Sequence, residues 1–149
     1  MIDNPEDRKD IIQDVYLKVF RHLPGFRYEA KLSTWIANIA YNTCVNFLER
    51  RKLLLLGDVF PGEGGNEADW NVAEANLMGK QLAGIIGEKL QQLSPIYRTL
   101  IVLFHQEELS YADIGQITSL PEGTIKSYLF RARKQLKDSV LAEYKKDEL

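Results

Sequence analysis

Five cations, Lys126, Arg131, Arg133, Lys134 and Lys137, fall in the short stretch "LPEGTIKSYLFRARKQLK", where Glu122 is the lone acid. Side chains of this type on a helix can pair with phosphates, and Arg or Lys can donate to guanine edges in a major groove. Ile125, Leu129, Ala132 and Leu136 recur at intervals of three and four, which predicts a seam packed against the rest of a domain. Lys126, Ser127, Phe130, Arg131, Arg133 and Lys134 lie off that seam. Phe130, set among cations, is costly to expose without a purpose. Just upstream, Ser110 and Asp113 form a capping box that opens a helix of about eight residues, and "SLPEG" then turns the chain sharply. Short helix, tight turn and longer basic helix make the helix-turn-helix pattern, and the chemistry expected of it is DNA binding. A merely solvated amphipathic helix would not need that partner helix or the exposed ring.

A second set lies in the N-terminal third. Asn38, Asn42 and Asn46 are spaced by four, so they line one helical face despite the poor helix propensity of asparagine. The amide offers a donor beside an acceptor, which suits base edges. Tyr41 neighbours the row and Trp35 opens the helix; aromatic rings can stack on unpaired bases. "ERRK" at 49–52 could supply phosphate contacts. Spacing alone leaves a second reading open, a solvated face with Trp35 in the core. Asp10, Gln13, Asp14, Lys18 and Arg21 share the polar side of the preceding helix, and a charged face is usually just wet.

Enzyme chemistry finds little support in the sequence. His22 and His105 each fall at a helix end, and no Cys/His set has metal-ligand spacing. "GEGG" has neither strand nor helix around it to make a phosphate loop. Neither a metal nor a cofactor is expected. Cys44 is the single cysteine, which excludes an internal disulfide and suits a reducing cytoplasm.

The elements that must position these residues are all helical. No stretch alternates with period two. Asn4 as N-cap and Pro5 at the first helical position open a helix that "PGF" ends at 24–26, with Ile12, Val15, Tyr16, Val19, Phe20 and Leu23 as an expected buried stripe. "STWIANIAYNTCVNFLERRK" carries the helical period through Ile36, Ile39, Ala40, Thr43, Phe47 and Leu48. Two such helices make a thin core, undersized for independent stability. Four helices are expected downstream: about Ala75 to Gln92, Ser94 to about Gln106, Ser110 to about Ser119, and Pro121 past Leu136. Residues 57–71, "GDVFPGEGGNEADWN", read as a linker of glycines, a proline and acids. Residues 53–79 hold no Lys or Arg but contain Asp58, Glu63, Glu67, Asp69 and Glu74, so much of the chain's acidity sits there. No apolar run is long enough for a membrane span, and no apolar leader stands at the start. The terminal "KDEL" matches an endoplasmic-reticulum address, but without such a leader it reads as the charged end of a helix.

"DIIQDVYLKVFRHLPGFRYEAKLSTWIANIAYNTCVNFLERRK" and "LSPIYRTLIVLFHQEELSYADIGQITSLPEGTIKSYLFRARKQL" together closely resemble the extracytoplasmic-function (ECF) sigma factors of bacterial RNA polymerase, within the sigma-70 family. The resemblance covers most of the chain outside the linker. It implies an all-α protein of two small domains, σ2-like over 1–53 and σ4-like over 75–149, joined by a flexible acidic linker over 54–74. It implies that Asp10, Gln13, Asp14 and Leu17 dock on the clamp helices of the polymerase β′ subunit, with the β subunit as a further contact. The loop from Phe26 to Ser33, with Arg27 and Lys31, would take a flipped base of the -10 element. Trp35, Asn38, Tyr41 and Asn42 would lie beside it, and Arg50, Arg51 and Lys52 would hold backbone. Thr124, Lys126, Ser127, Tyr128, Phe130, Arg131, Arg133 and Lys134 would face the -35 element. The acidic linker would thread the polymerase near the RNA path. Promoter DNA, core polymerase and an anti-sigma factor are the partners implied, and the cytoplasm the place. In the family a further helix or two precedes the segment matched by "DIIQDV", covering the apolar faces of the two N-terminal helices. The rival is a helix-turn-helix regulator that binds DNA without polymerase.

Overall fold

The computed structural model describes residues 1–55 and 77–147. Most of the expected linker, 54–74, lies outside the described residues. Among the described residues there is no strand. The six helices are α1 (Pro5–His22), α2 (Leu32–Leu55), α3 (Leu77–Gln92), α4 (Pro95–Ile101), α5 (Tyr111–Thr118) and α6 (Glu122–Asp147). A 3-10 turn, Leu23–Gly25, follows α1, and a π-helical turn, Val102–Gln106, continues α4.

The helix starts obey the capping chemistry. Asn4 accepts from the backbone N–H groups of Glu6 and Asp7, which would otherwise lack partners in the first turn. The Asp7 carboxylate is taken by Arg51 of α2 at 3.1 Å. Ser110 Oγ accepts from the Asp113 N–H and donates to the Asp113 carboxylate at 2.6 Å, a bond that holds that carboxyl below its ordinary range. Ser94 stands at the N-cap of α4 but makes no side-chain cap. Ser110→Ala is therefore expected to destabilise the C-terminal half by about 1 kcal/mol, read as a lower urea midpoint, whereas Ser94→Ala leaves that midpoint in place.

One core organises the C-terminal half. Leu90 from α3, Leu93 just past its end, Leu100 and Ile101 from α4, Ile114 from α5, and Ile125, Leu129 and Ala132 from α6 are all buried in it. The seam expected on the basic helix is the one that packs. Lys89 ties α3 to Glu143 of α6 at 2.8 Å. The turn between α5 and α6 is tight: Ser119 takes a left-handed φ of 58°, and a Cβ on Gly115 would stand 3.3 Å from the Leu120 carbonyl. That approach suits a residue without a side chain.

The N-terminal half differs from expectation. Ile11 is the buried residue of α1, and Val15 and Val19 are half-buried against α2. Ile12, Tyr16, Phe20 and Leu23, expected inside, are exposed, Phe20 by 82%. The apolar arc of α1 is wider than the strip that one neighbour can cover, and α2 is its neighbour among the described residues. Periodicity identified the apolar side of α1 correctly. It could not say how much of that side has something to pack on.

Candidate nucleic-acid interface

The helix-turn-helix of α5 and α6 presents a basic face whose cations are of two kinds. Lys126 is paired with Glu122 one turn earlier and lies over the Tyr111 ring, 5.1 Å from its centroid. The Arg133 guanidinium sits 5.2 Å from the centroid of Phe104, and its Nε donates to His105 Nε2 at 3.0 Å. Phe104 and Tyr111 stack on each other at 5.0 Å, so two cations rest on one aromatic shelf. Partial burial and the Arg133 charge push the His105 pKa down, which keeps its ring a neutral acceptor. Arg131 and Lys134 are exposed and have no intramolecular partner among the described residues. Phe130 stands beside them, 69% exposed. Ser127 is exposed and donates to the Thr124 carbonyl at 3.0 Å. Thr124 is half-buried, and Tyr128 packs edge-on against Tyr97 at 5.5 Å, at the margin of the core.

The N-terminal set does not form one face. Phe26 lies 4.8 Å from Tyr28 and 5.1 Å from Trp35, ring centre to ring centre, so three aromatics cluster at the start of α2. Tyr28 is 86% exposed and held at a positive φ of 58°. Arg27, Lys31 and Ser33 are exposed around this cluster. Asn38 and Tyr41 turn elsewhere. The Asn38 amide donates to the carbonyls of Gln116 and Ile117, at 3.0 and 2.8 Å, in the last turn of α5. Asn42 donates to Asn38 Oδ1 at 3.1 Å and remains exposed. Tyr41 is half-buried, and burial pushes its hydroxyl pKa up. Arg50 and Lys52 are exposed near the end of α2, with Arg51 engaged by Asp7.

On α1, Asp10, Gln13, Asp14 and Leu17 share an exposed side; Asp14 pairs with Lys18 at 2.9 Å, and Leu17 is 64% exposed. Sequence reasoning covered Tyr28 only as part of the Phe26–Ser33 loop and missed Phe104 and Tyr111. The four-residue spacing of Glu122 and Lys126 was a legible pairing signal, but no local signal marks Phe104 as the seat of Arg133. Among the described residues no cluster could hold a metal ion, and no helix is long and apolar enough to cross a membrane.

Among the described residues the fold is two all-α units, the second containing a helix-turn-helix with a basic outer face. The family model for Sigma-70 region 2 matches residues 1–53, and that for Sigma-70, region 4 matches residues 83–136. The ECF RNA polymerase sigma factor SigW of Bacillus subtilis is 32% identical over 93% of this chain and 80% of its own length. The ECF RNA polymerase sigma-E factor of Haemophilus influenzae is 30% identical over 90% of this chain and 75% of its own. Among solved structures, the sigma factor RpoE of Bartonella quintana, in complex with the anti-sigma factor NepR, superposes with a TM-score of 0.75 at 23% identity, over 93% of this chain and 84% of that one. CnrH, in complex with the cytosolic domain of CnrY, gives 0.61 at 16% identity, over 94% and 75%. The chain belongs to the ECF RNA polymerase sigma factors. A regulator that works without polymerase is not favoured, because a region 2 match spans the whole N-terminal unit.

Proposed function

We propose a division of labour for this sigma factor in which α6 grips the -35 duplex and the start of α2 handles the opened -10 strand. The unpaired Arg131 and Lys134, flanking exposed Phe130, carry this reading: two charges free to meet phosphates or guanine edges beside a ring that can contact a thymine methyl. Lys126 and Arg133, already neutralised or shelved, have a weaker claim on DNA. The Phe26–Tyr28–Trp35 cluster supports strand handling, because stacked rings at an exposed loop can receive an unpaired base. The Asp10–Leu17 side of α1 is the surface offered to core polymerase. Catalysis then belongs to the polymerase, and the cytoplasm is the place of action. One similar sigma factor, RpoE of Bartonella quintana, was captured with an anti-sigma factor, and an anti-sigma partner is part of this reading.

The test is promoter-specific run-off transcription with bacterial core polymerase. DNA binding without any association with core would sink the reading. Arg131→Ala is expected to weaken -35 duplex binding by about 1–3 kcal/mol while Arg133→Ala weakens it less. Equal losses would remove the distinction drawn between free and shelved cations.

A further inference from the structure

Nε of Arg133 donates to Nε2 of His105 at 3.0 Å, and the His105 ring stands edge-on to Phe104 with ring centres 5.0 Å apart. An imidazole nitrogen accepts only while it keeps a lone pair, so this bond exists only with a neutral ring. Arginine has donors alone and stays charged across the whole working range of pH. A proton added to His105 therefore turns a hydrogen bond into two cations face to face. Both side chains are exposed, so packing locks neither in place. The charged and titratable groups around the ring come from three elements. Glu107 and Glu108 follow it on its own segment and are exposed. From α5 come Tyr111 and Asp113, whose carboxylate is held by Ser110. From α6 come Glu122 and Lys126, paired with each other, and Arg133. Of these, the Arg133 charge bears on the imidazole; partial burial, and then that charge, push its pKa below the ordinary histidine value.

We infer that His105 is a positioning residue for DNA contact: neutral, it keeps Arg133 on the Phe104 shelf; protonated, it releases Arg133 to share a backbone phosphate of the -35 duplex with the charged ring. This rests on the assignment of α6 as the -35 helix. In the neutral state the Arg133 Nε–H is taken and the guanidinium lies over Phe104. In the protonated state Arg133 loses its acceptor, and the Arg133 Nε and His105 Nε2 are both donors in search of one. A phosphodiester oxygen is the acceptor whose charge suits both. Phosphates line the duplex whatever its bases, so the added grip is independent of sequence. Linkage fixes the sign of the pH dependence. Phosphate favours the protonated ring, so its pKa is higher in the complex than in the free chain, and binding takes up a proton. Affinity is then flat above the histidine range. It climbs as pH falls from the pKa of the complex to the lower pKa of the free chain.

The measurement is the affinity of the full chain for a -35 duplex as a function of salt, at about pH 7.5 and about pH 5.5, either side of the histidine range. Each phosphate neutralised adds about 0.9 to the slope of log affinity against log salt. The wild-type slope is expected to steepen by about one unit on acidification, with affinity at fixed salt rising several-fold. His105→Gln keeps an acceptor for Arg133 but does not titrate, so its slope should be the same at both pH values. His105→Lys carries a permanent charge and should show the steeper slope already at the higher pH, where no acid is needed. Arg133→Ala should fall further behind the wild type at the lower pH than at the higher. A histidine with a structural role alone would change affinity in these variants without tying the salt slope to pH. A wild-type slope that is equal at both pH values, a steepening that survives in His105→Gln, or a folded His105→Lys no steeper than wild type at the higher pH would overturn the inference. Absence of -35 duplex binding by the wild type at either pH would instead overturn the role of α6 on which the inference rests.

Discussion

Leu129→Ala is expected to cost the C-terminal half about 2–5 kcal/mol, the largest stability loss of any single change considered for this chain. Leu129 is fully buried in the core cluster, so truncation removes apolar contacts and leaves a cavity that α3 and α4 cannot collapse to fill. A small domain carries about 5–15 kcal/mol in all, so the helix-turn-helix should be substantially unfolded near its working temperature. The adjacent residue gives the control. Phe130 is largely exposed, and Phe130→Ala should leave the urea midpoint within about 0.5 kcal/mol of wild type. Its effect should fall on -35 binding. Equal midpoints for the two variants would show that α6 packs through a different seam.

The second large effect is on strand binding. The double substitution Phe26→Ala with Trp35→Ala removes two of the three rings clustered at the start of α2. Base–ring stacking is worth about 1–3 kcal/mol per base, so a strand that engages both rings should lose the sum and fall out of a nanomolar or micromolar assay. Single-stranded -10 oligonucleotide binding is the readout. Binding to a -35 duplex should not change, because Phe130 and the free cations lie on α6. A double variant that still binds the oligonucleotide as its parent does would remove the cluster from the strand path.

Much of the architecture was legible because it is written locally. Asn4 with Pro5, Ser94 with Pro95, and Ser110 with Asp113 mark helix starts by the chemistry of unpaired N–H groups, and all three starts stand where expected. The seam of Ile125, Leu129 and Ala132 was legible for the same reason, since a single helix carries its whole pattern. The illegible parts depend on distant neighbours. The asparagine spacing places Asn38 on a face, but the partner of that face is the end of α5, about eighty positions on. The stripe of Ile12, Tyr16 and Phe20 is apolar by pattern, yet burial needs a second surface, which α2 supplies only along one edge. The π-helical turn had no signal at all in residue type.

That turn has a consequence for the basic face. The Glu107 N–H reaches back five residues to the Val102 carbonyl at 3.0 Å, in place of the usual four. One extra residue in a helical turn acts as a phase shifter, rotating the downstream side chains by about 100°. Within this turn Phe104 lies beneath the Arg133 guanidinium and His105 beside it. Deleting one residue between Val102 and Gln106 would restore the ordinary pitch and unseat Arg133. The helix would then carry one more mobile charge than it does now. A change of phase in α4 therefore tunes the valence of α6 without touching any residue on it.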